Sequence, residues 1–313
     1  MSSLIKWFSY LLIILVLFSC SKKSTNGVKP PSPGYPIICD APAWSPDGKT
    51  IAYYYNGTIK VYKSGRYTVD PSLRGIWFIN PDGTNKRMFL WGGDLPDWNP
   101  VEPKLAIVMN SQIYTIKLNG DSLTQLTFEG RNFFPDWSPD GKKIAYDSDF
   151  DDPKGAKVIW VMNADGTNKQ DISQHGIGEW RQPDWSPDGE SIVHLRYVGV
   201  GAPELFVMDK NGGNAKRLTF DEKDDRYPKF SPDGSKIVFS SAKESPPQIF
   251  VMDADGCNIK QLTTEGGTYP AWSPDGSKIV YVRYSDEYSS KHGQLWIMDA
   301  DGSNKKQLTY DGW

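Results

Sequence analysis

Histidine and cysteine are scarce in this chain, whose 313 residues hold three of each. His175, His194 and His292 stand far apart, with no H-E-x-x-H helix for zinc and no G-x-S-x-G elbow for a nucleophile. No catalytic, metal or cofactor-binding set is therefore assigned. A disulfide between Cys39 and Cys257 is open in an oxidising compartment, but one pair makes no framework, and stability must come from a packed core. Charge of one sign is missing too. Lys plus Arg number 35 against 38 Asp plus Glu, a formal charge of −3. That lacks the basic footprint of a nucleic-acid binder, so no nucleic acid is expected as partner. Nor does any apolar run approach the roughly 20 residues of a membrane-spanning helix. The longest, Trp7 to Phe18, follows Lys6 and has the length of a signal-peptide core.

That run ends in "LFSC", Leu17 to Cys20. A small residue before a cysteine resembles the lipobox of bacterial lipoproteins. The resemblance implies a signal peptide over residues 1–19 and a lipid anchor on Cys20, the sole expected contact with a membrane. Residues 20–36 are polar and Pro-rich and read as a flexible tether. At about 3.1 Å per residue its extended form reaches roughly 50 Å.

What the sequence has in quantity is repetition. The stretch "FPDWSPDGKKIAYDSD" at Phe134 has counterparts at Pro42, Pro96, Pro183, Pro228 and Pro270. Aligned on the aromatic after each Pro-x pair, the units mark Trp44, Trp98, Trp137, Trp185, Phe230 and Trp272, spaced 54, 39, 48, 45 and 42 residues apart. Each unit repeats one grammar: a short strand, a Pro-Asp-Gly turn, a second strand, a variable loop, and a third strand such as "IWVM" or "IFVM". A second glycine turn such as "DADG" and a last strand such as "KQLT" complete it. Proline fixes φ in the first turn and glycine supplies positive φ. Four short strands per unit is the arithmetic of a propeller blade. The expected fold is all-β, a six-bladed β-propeller over residues 37–313 with four antiparallel strands per blade. The blades fall near 41–91, 94–128, 133–174, 181–220, 226–264 and 268–310. The second unit replaces its turn with "NPVEPK" but keeps Trp98 and "IYTI". Closure of the ring by packing, or by "YPII" near Ile37 joining the last blade, stays open.

The string "PDWSPDGKKIAYDSD…VIWVMNADGTNKQDIS" resembles the repeat of the TolB-type propeller family over nearly all of the mature chain. The resemblance implies an envelope protein whose ring binds a protein or peptide. The additional α/β domain of TolB has no counterpart here; a tether alone precedes Cys39.

His194, in the slot of Tyr146, Phe239 and Tyr281, reads as a core residue. The "DADG" turns read as turn chemistry rather than calcium ligands, and "DSDFDDP" from Asp147 as a solvated loop. The loops joining one blade to the next read "FEGRNFF", "HGIGEWRQ", "DEKDDRY" and "TTEGGTY". They present Arg131, Phe133, Trp180, Arg181, Arg226, Tyr227 and Tyr269, of types enriched at binding hot spots. The long loop after Tyr55, with Tyr62, Arg66 and Tyr67, shares that face. The expected function is a monomeric, lipid-anchored scaffold of the bacterial envelope that holds a protein partner over the channel mouth. One alternative is a carbohydrate-binding propeller. Another is a polysaccharide lyase or hydrolase with a cation at Asp97, Asp136 and Asp184.

Overall fold

The computed structural model describes residues 39–61, 67–151, 155–173, 178–199, 201–221, 223–243, 245–284 and 293–310. Cys20, the tether, "YPII" up to Ile38, His175 and His292 lie outside them.

Six four-stranded antiparallel sheets follow one another along the chain. The first holds β1 (Cys39–Trp44) and β2 (Ile51–Tyr55). A side hairpin, β3 (Thr58–Val61) with β4 (Tyr67–Val69), and a 3-10 turn at Pro71–Leu73 interrupt it. It resumes with β5 (Gly75–Ile79) and β6 (Arg87–Trp91). The second sheet has β7 (Asp94–Trp98), β8 (Lys104–Met109), β9 (Gln112–Lys117) and β10 (Thr124–Gln125), so the degenerate unit is a complete blade. The third has β11 (Asn132–Trp137), β12 (Lys143–Ser148), β13 (Val158–Asn163) and β14 (Gln170–Asp171). The fourth has β15 (Trp180–Trp185), β16 (Ser191–Tyr197), β17 (Pro203–Asp209) and β18 (Lys216–Arg217). The fifth has β19 (Asp225–Phe230), β20 (Lys236–Ser241), β21 (Gln248–Asp253) and β22 (Lys260–Gln261). The sixth has β23 (Thr268–Trp272), β24 (Lys278–Tyr284), β25 (Gly293–Asp299) and β26 (Lys306–Gln307). The structure is a six-bladed β-propeller.

Second and third strands are buried on both faces, as "IAYYY", "GIWFI" and "KIVFSS" foreshadow, because neighbouring blades cover both sides of every sheet. Tyr53, Tyr146, Phe239 and Tyr281 are fully buried. His194 joins them, 4.7 Å from Trp180 and 6.0 Å from Phe206 by ring centroids. Burial drops its imidazole to about 4, so it is neutral and works as an aromatic spacer.

Every first strand breaks register in the same place, at the residue before its proline. Ala41, Leu95, Phe134, Gln182, Tyr227 and Tyr269 all have φ between 46° and 54°. This is a β-bulge, and proline suits it because a looped-out position needs no N–H for the ladder. Six non-glycine residues in the left-handed region thus ring the channel.

Among the described residues, the first and sixth blades meet by their faces. Ile51, Tyr53, Trp77 and Ile79 of the first blade share one core with Val280, Val282, Ile297 and Leu308 of the sixth. Lys306 Nζ donates to the Asp82 carbonyl at 2.9 Å across this seam. Lys216 to Asp255 (2.9 Å) and Lys260 to Asp301 (3.1 Å) make the same clasp at two other seams. The second glycine turn serves the seams as well. A Cβ on Gly212 would lie 1.5 Å from the Ile172 carbonyl oxygen of the preceding blade. A Cβ on Gly256 or Gly302 of the "DADG" turns would likewise lie 3.0 Å from a carbonyl oxygen of the preceding blade, so the second glycine turn is an inter-blade contact as much as a hairpin tip. Cys257, in one such turn, is an exposed free thiol.

Candidate functional site

The inner strands run from a loop face, where blades connect, to a turn face carrying the Pro-Asp-Gly turns. Each contributes one side chain per layer to the central channel. Below the bulge residues and prolines comes a layer of Ala43, Asp97, Asp136, Asp184, Lys229 and Ala271. A cavity of about 250 Å³ is lined by these layers, with Pro232 and Pro274 of the turns among its walls. Phe134, Tyr227 and Tyr269 line it from the bulge layer. Tyr227 stacks on Tyr269 at 3.7 Å and lies 6.1 Å from Phe134. This aromatic group sits between the cavity and the loop face.

The carboxylates of this Ala43-to-Ala271 layer build the ring. Asp97 accepts from Trp137 N–H at 2.8 Å, Asp136 from Trp185 N–H at 2.8 Å, and Asp184 from Phe230 N–H at 2.7 Å. Each bond joins one blade to the next. Lys229 Nζ lies 2.8 Å from Asp136 Oδ1 and 2.7 Å from Asp184 Oδ1. Burial works against the Lys229 charge, but Asp136, Asp184 and Asp97 outweigh it and hold its pKa above the usual lysine range. Burial, then the nearby Asp136, push the Asp97 carboxyl up to about 7. Where one alternative placed a cation, the Lys229 ammonium pairs with Asp136 and Asp184, and a backbone N–H occupies one oxygen of each of the three carboxylates.

Above the aromatic group the mouth is electrically divided. Asp40 and Asp94 stand on the first two blades. Burial raises both, Asp40 well above the carboxylate range with help from Asp94, and Asp94 to about 6. Arg131, Lys157, Arg181 and Arg226 stand on the third to fifth blades. Arg131 is 63% exposed while paired with Asp149 at 2.5 Å. Lys157 is buried against Asp147 at 3.3 Å, its ammonium 4.0 Å from the Phe133 ring centroid. Arg181 leans toward Asp147 (3.9 Å) and Glu179 (3.6 Å). Arg226 bonds to Asp224 at 2.5 Å and to the Tyr197 hydroxyl at 3.1 Å.

Several expected site residues thus have internal duties. Trp180 is 3% exposed and packs against His194, with Arg196 4.5 Å above its ring. It belongs to the core, because the first residue of an inner strand turns into the seam. Tyr227 and Tyr269 stack on each other, and Phe133 is half-buried under Lys157. Arg181 and Arg226 keep about a third of their side chains exposed, and Arg131 keeps most. The solvated-loop reading of "DSDFDDP" is corrected at its start, where Asp147 is fully buried on β12 and ion-paired, while Phe150 and Asp151 are exposed. Tyr62 and Arg66 lie outside the described residues.

A second set was not singled out in the sequence. Of nine large apolar side chains exposed among the described residues, six end or follow an outer or second strand and so stand at the loop face. They are Trp91, Phe128, Phe150, Val198, Phe220 and Tyr310. Their signal was in plain view, since "LTF", "LTF" and "LTY" put an aromatic just past an outer strand three times. Val101, Leu123 and Ile259 stand in turns at the other face.

Residues 178–312 match the family model of the TolB beta propeller domain. A TolB homolog from Chlorobium chlorochromatii is 33% identical over 136 residues, covering 43% of this chain and 29% of the relative, so this chain spans under a third of that relative's length. The crystal structure of TolB from Acinetobacter baumannii superposes with a TM-score of 0.66 at 24% identity, over 84% of this chain and 64% of the other. An oligogalacturonate lyase in complex with manganese superposes with a TM-score of 0.54 at 16% identity, over 86% and 77%, and shares the fold alone. The six blades share the fold of the TolB propeller, and the likeness to that family in sequence rests on residues 178–312.

Proposed function

We propose that this propeller is a non-catalytic, protein-binding scaffold of the bacterial envelope, held to a membrane by lipid on Cys20. Its partner is a protein or peptide seated on the loop face. The observation that carries this reading is the asymmetry of exposed apolar side chains among the described residues, six at the loop face against three at the turn face. Exposed aromatics interleaved with Arg131, Arg181 and Arg226 are hot-spot chemistry, and the mouth's basic side suits an acidic or carboxylate-bearing segment. The channel offers less: its charged layer is spent on inter-blade bonds.

Crosslinking in intact envelopes tests this. Phe128→Ala with Phe220→Ala and Arg131→Ala should lower recovery of the wild-type crosslinked species at least tenfold. Leu123→Ala with Ile259→Ala, on the turn face, should leave it unchanged. Equal recovery from both variants would show that the loop face is not the docking surface. A Cys20→Ser chain released into the soluble envelope fraction supports the lipid anchor, and unchanged membrane association removes it.

A further inference from the structure

The seam between the fourth and fifth blades holds a buried carboxylate with no role in the channel. Asp225 opens β19, is 0% exposed, and neither of its oxygens has a partner at good hydrogen-bond geometry, the hydroxyls of Ser241 and Thr219 being its nearest donors. Ser241, its cross-strand neighbour, is equally buried and its hydroxyl also lacks one. Glu204 on β17 and Asp221, in the loop before β19, each bring an oxygen close. One oxygen from each of the three carboxylates lies within 4.8 Å of the others.

The same place in another seam is filled differently. Thr127 Oγ1 accepts from Ile113 N–H, and Thr219 Oγ1 accepts from Leu205 N–H, so Gln112 and Glu204 occupy one repeat position. Asn132 and Asp225 likewise both open inner strands. Asn132 Nδ2 donates to Gln112 Oε1 at 3.0 Å. The fifth and sixth blades keep glutamine there, with Thr263 and Thr309 donating to Gln248 and Gln294. Between the fourth and fifth blades two carboxylates stand where an amide pair stands elsewhere, and no amide hydrogen lies between them. Two nearby cations are already engaged: Arg217 with Glu204 at 2.9 Å and Lys243 with Asp221 at 2.5 Å. Thr219 Oγ1 donates to the other Glu204 oxygen at 2.7 Å. Asp225 is left with no cation of its own and only neutral hydroxyls beside it, and a buried carboxylate so placed is costly.

We propose that Asp225, Glu204 and Asp221 bind a divalent cation, with Ca²⁺ the best fit, tying the inner strand of the fifth blade to the third strand of the fourth. Ligands on opposite sides of Ca²⁺, each about 2.4 Å away, are about 4.8 Å apart. Ser241 Oγ adds a neutral oxygen, and an all-oxygen set favours hard cations over copper or zinc. The next residue but one before Asp225 is Lys223 and the next after it is Arg226, so the ion would also brace the loop that presents Arg226.

Calorimetric titration of the chelator-treated full chain with Ca²⁺ should show one saturable site, and the same addition should raise Tm. Mg²⁺, which demands a tighter octahedron, should bind at least tenfold more weakly. Asp225→Asn with Glu204→Gln recreates the amide pair of the 112/132 seam. It should melt in chelator no lower than wild type while losing Ca²⁺ affinity at least tenfold. If that double variant misfolds, Asp225→Asn alone gives the same comparison. Absence of stoichiometric binding to wild type, or Ca²⁺ affinity of the folded variant within twofold of wild type, overturns the site. Equal affinity for Mg²⁺ overturns its assignment to calcium.

Discussion

Asp97 makes the same backbone bond as Asp136 and Asp184, yet it has no ion pair among the described residues. Its carboxyl sits at about 7, against about 3.9 for an unfolded aspartate. The folded state therefore holds this proton more tightly than the unfolded chain. Its contribution to stability is complete below about pH 4 and is lost as pH rises through about 7. Wild type should be more stable at pH 5 than at pH 8. Asp97→Asn keeps an oxygen for Trp137 N–H and removes the charge. It should gain on the order of 2 kcal/mol over wild type at pH 8 and flatten the decline, read from urea midpoints. Asp94, raised to about 6, Asp225, raised to about 7, and Asp40, also raised by burial, contribute to the slope that remains. An unchanged pH profile would mean that Asp97 is not the group responsible. Little of this was legible in the sequence, where Asp97, Asp136 and Asp184 look alike. What separates them is Lys229, which replaces aspartate in the fifth unit and reaches two of the three carboxylates.

The bulge in every inner strand was half legible. The recurring proline was conspicuous, but the residue before it is Ala, Leu, Phe, Gln or Tyr, none of which favours positive φ. The sheet and the neighbouring blades impose that conformation. A left-handed φ costs an L-residue roughly 1–2 kcal/mol, while glycine adds about 0.5–1 kcal/mol of unfolded-chain entropy. Ala41→Gly removes one methyl group at φ 46° and should raise stability by about 0.5 kcal/mol, with the midpoint shifting at constant m. A loss would show that the bulge carries no strain at Ala41. The same one-residue detail explains Trp180, which the sequence places in a loop. Because side chains alternate along a strand, beginning β15 at Trp180 turns the indole into the seam and Arg181 toward the mouth. The six exposed apolar residues were legible as letters but not as a surface, since only the blade geometry brings them to one face.

Six blades could be counted from the aromatic spacings alone; closure of the ring could not. The first unit begins with an inner strand and the last ends with an outer one, which fits either mode. The packing of Trp77 and Tyr53 on Val282 and Leu308 shows a seam built like the others. Leu308, at that seam, and Leu218, between the fourth and fifth blades, are 3% and 2% exposed in the same repeat position. Leu308→Ala and Leu218→Ala should each lose about 3 kcal/mol, agree within about 1 kcal/mol, and unfold in one transition. A much smaller loss at Leu308, or a separate early transition, would mark closure as the weak joint.

Among the described residues, the seam between the first and sixth blades contains no strand borrowed from across it. Each sheet is complete within one continuous stretch of chain, so a break in any loop joining two blades leaves all six sheets whole. Rejoining the ends and reopening the chain between, say, Leu218 and Asp225 would produce a circular permutant with the same six sheets in a new order. A ring latched by a shared strand lacks that freedom, because only one place in its sequence leaves the latch intact. For this propeller the order of the blades along the chain is separable from their order around the channel.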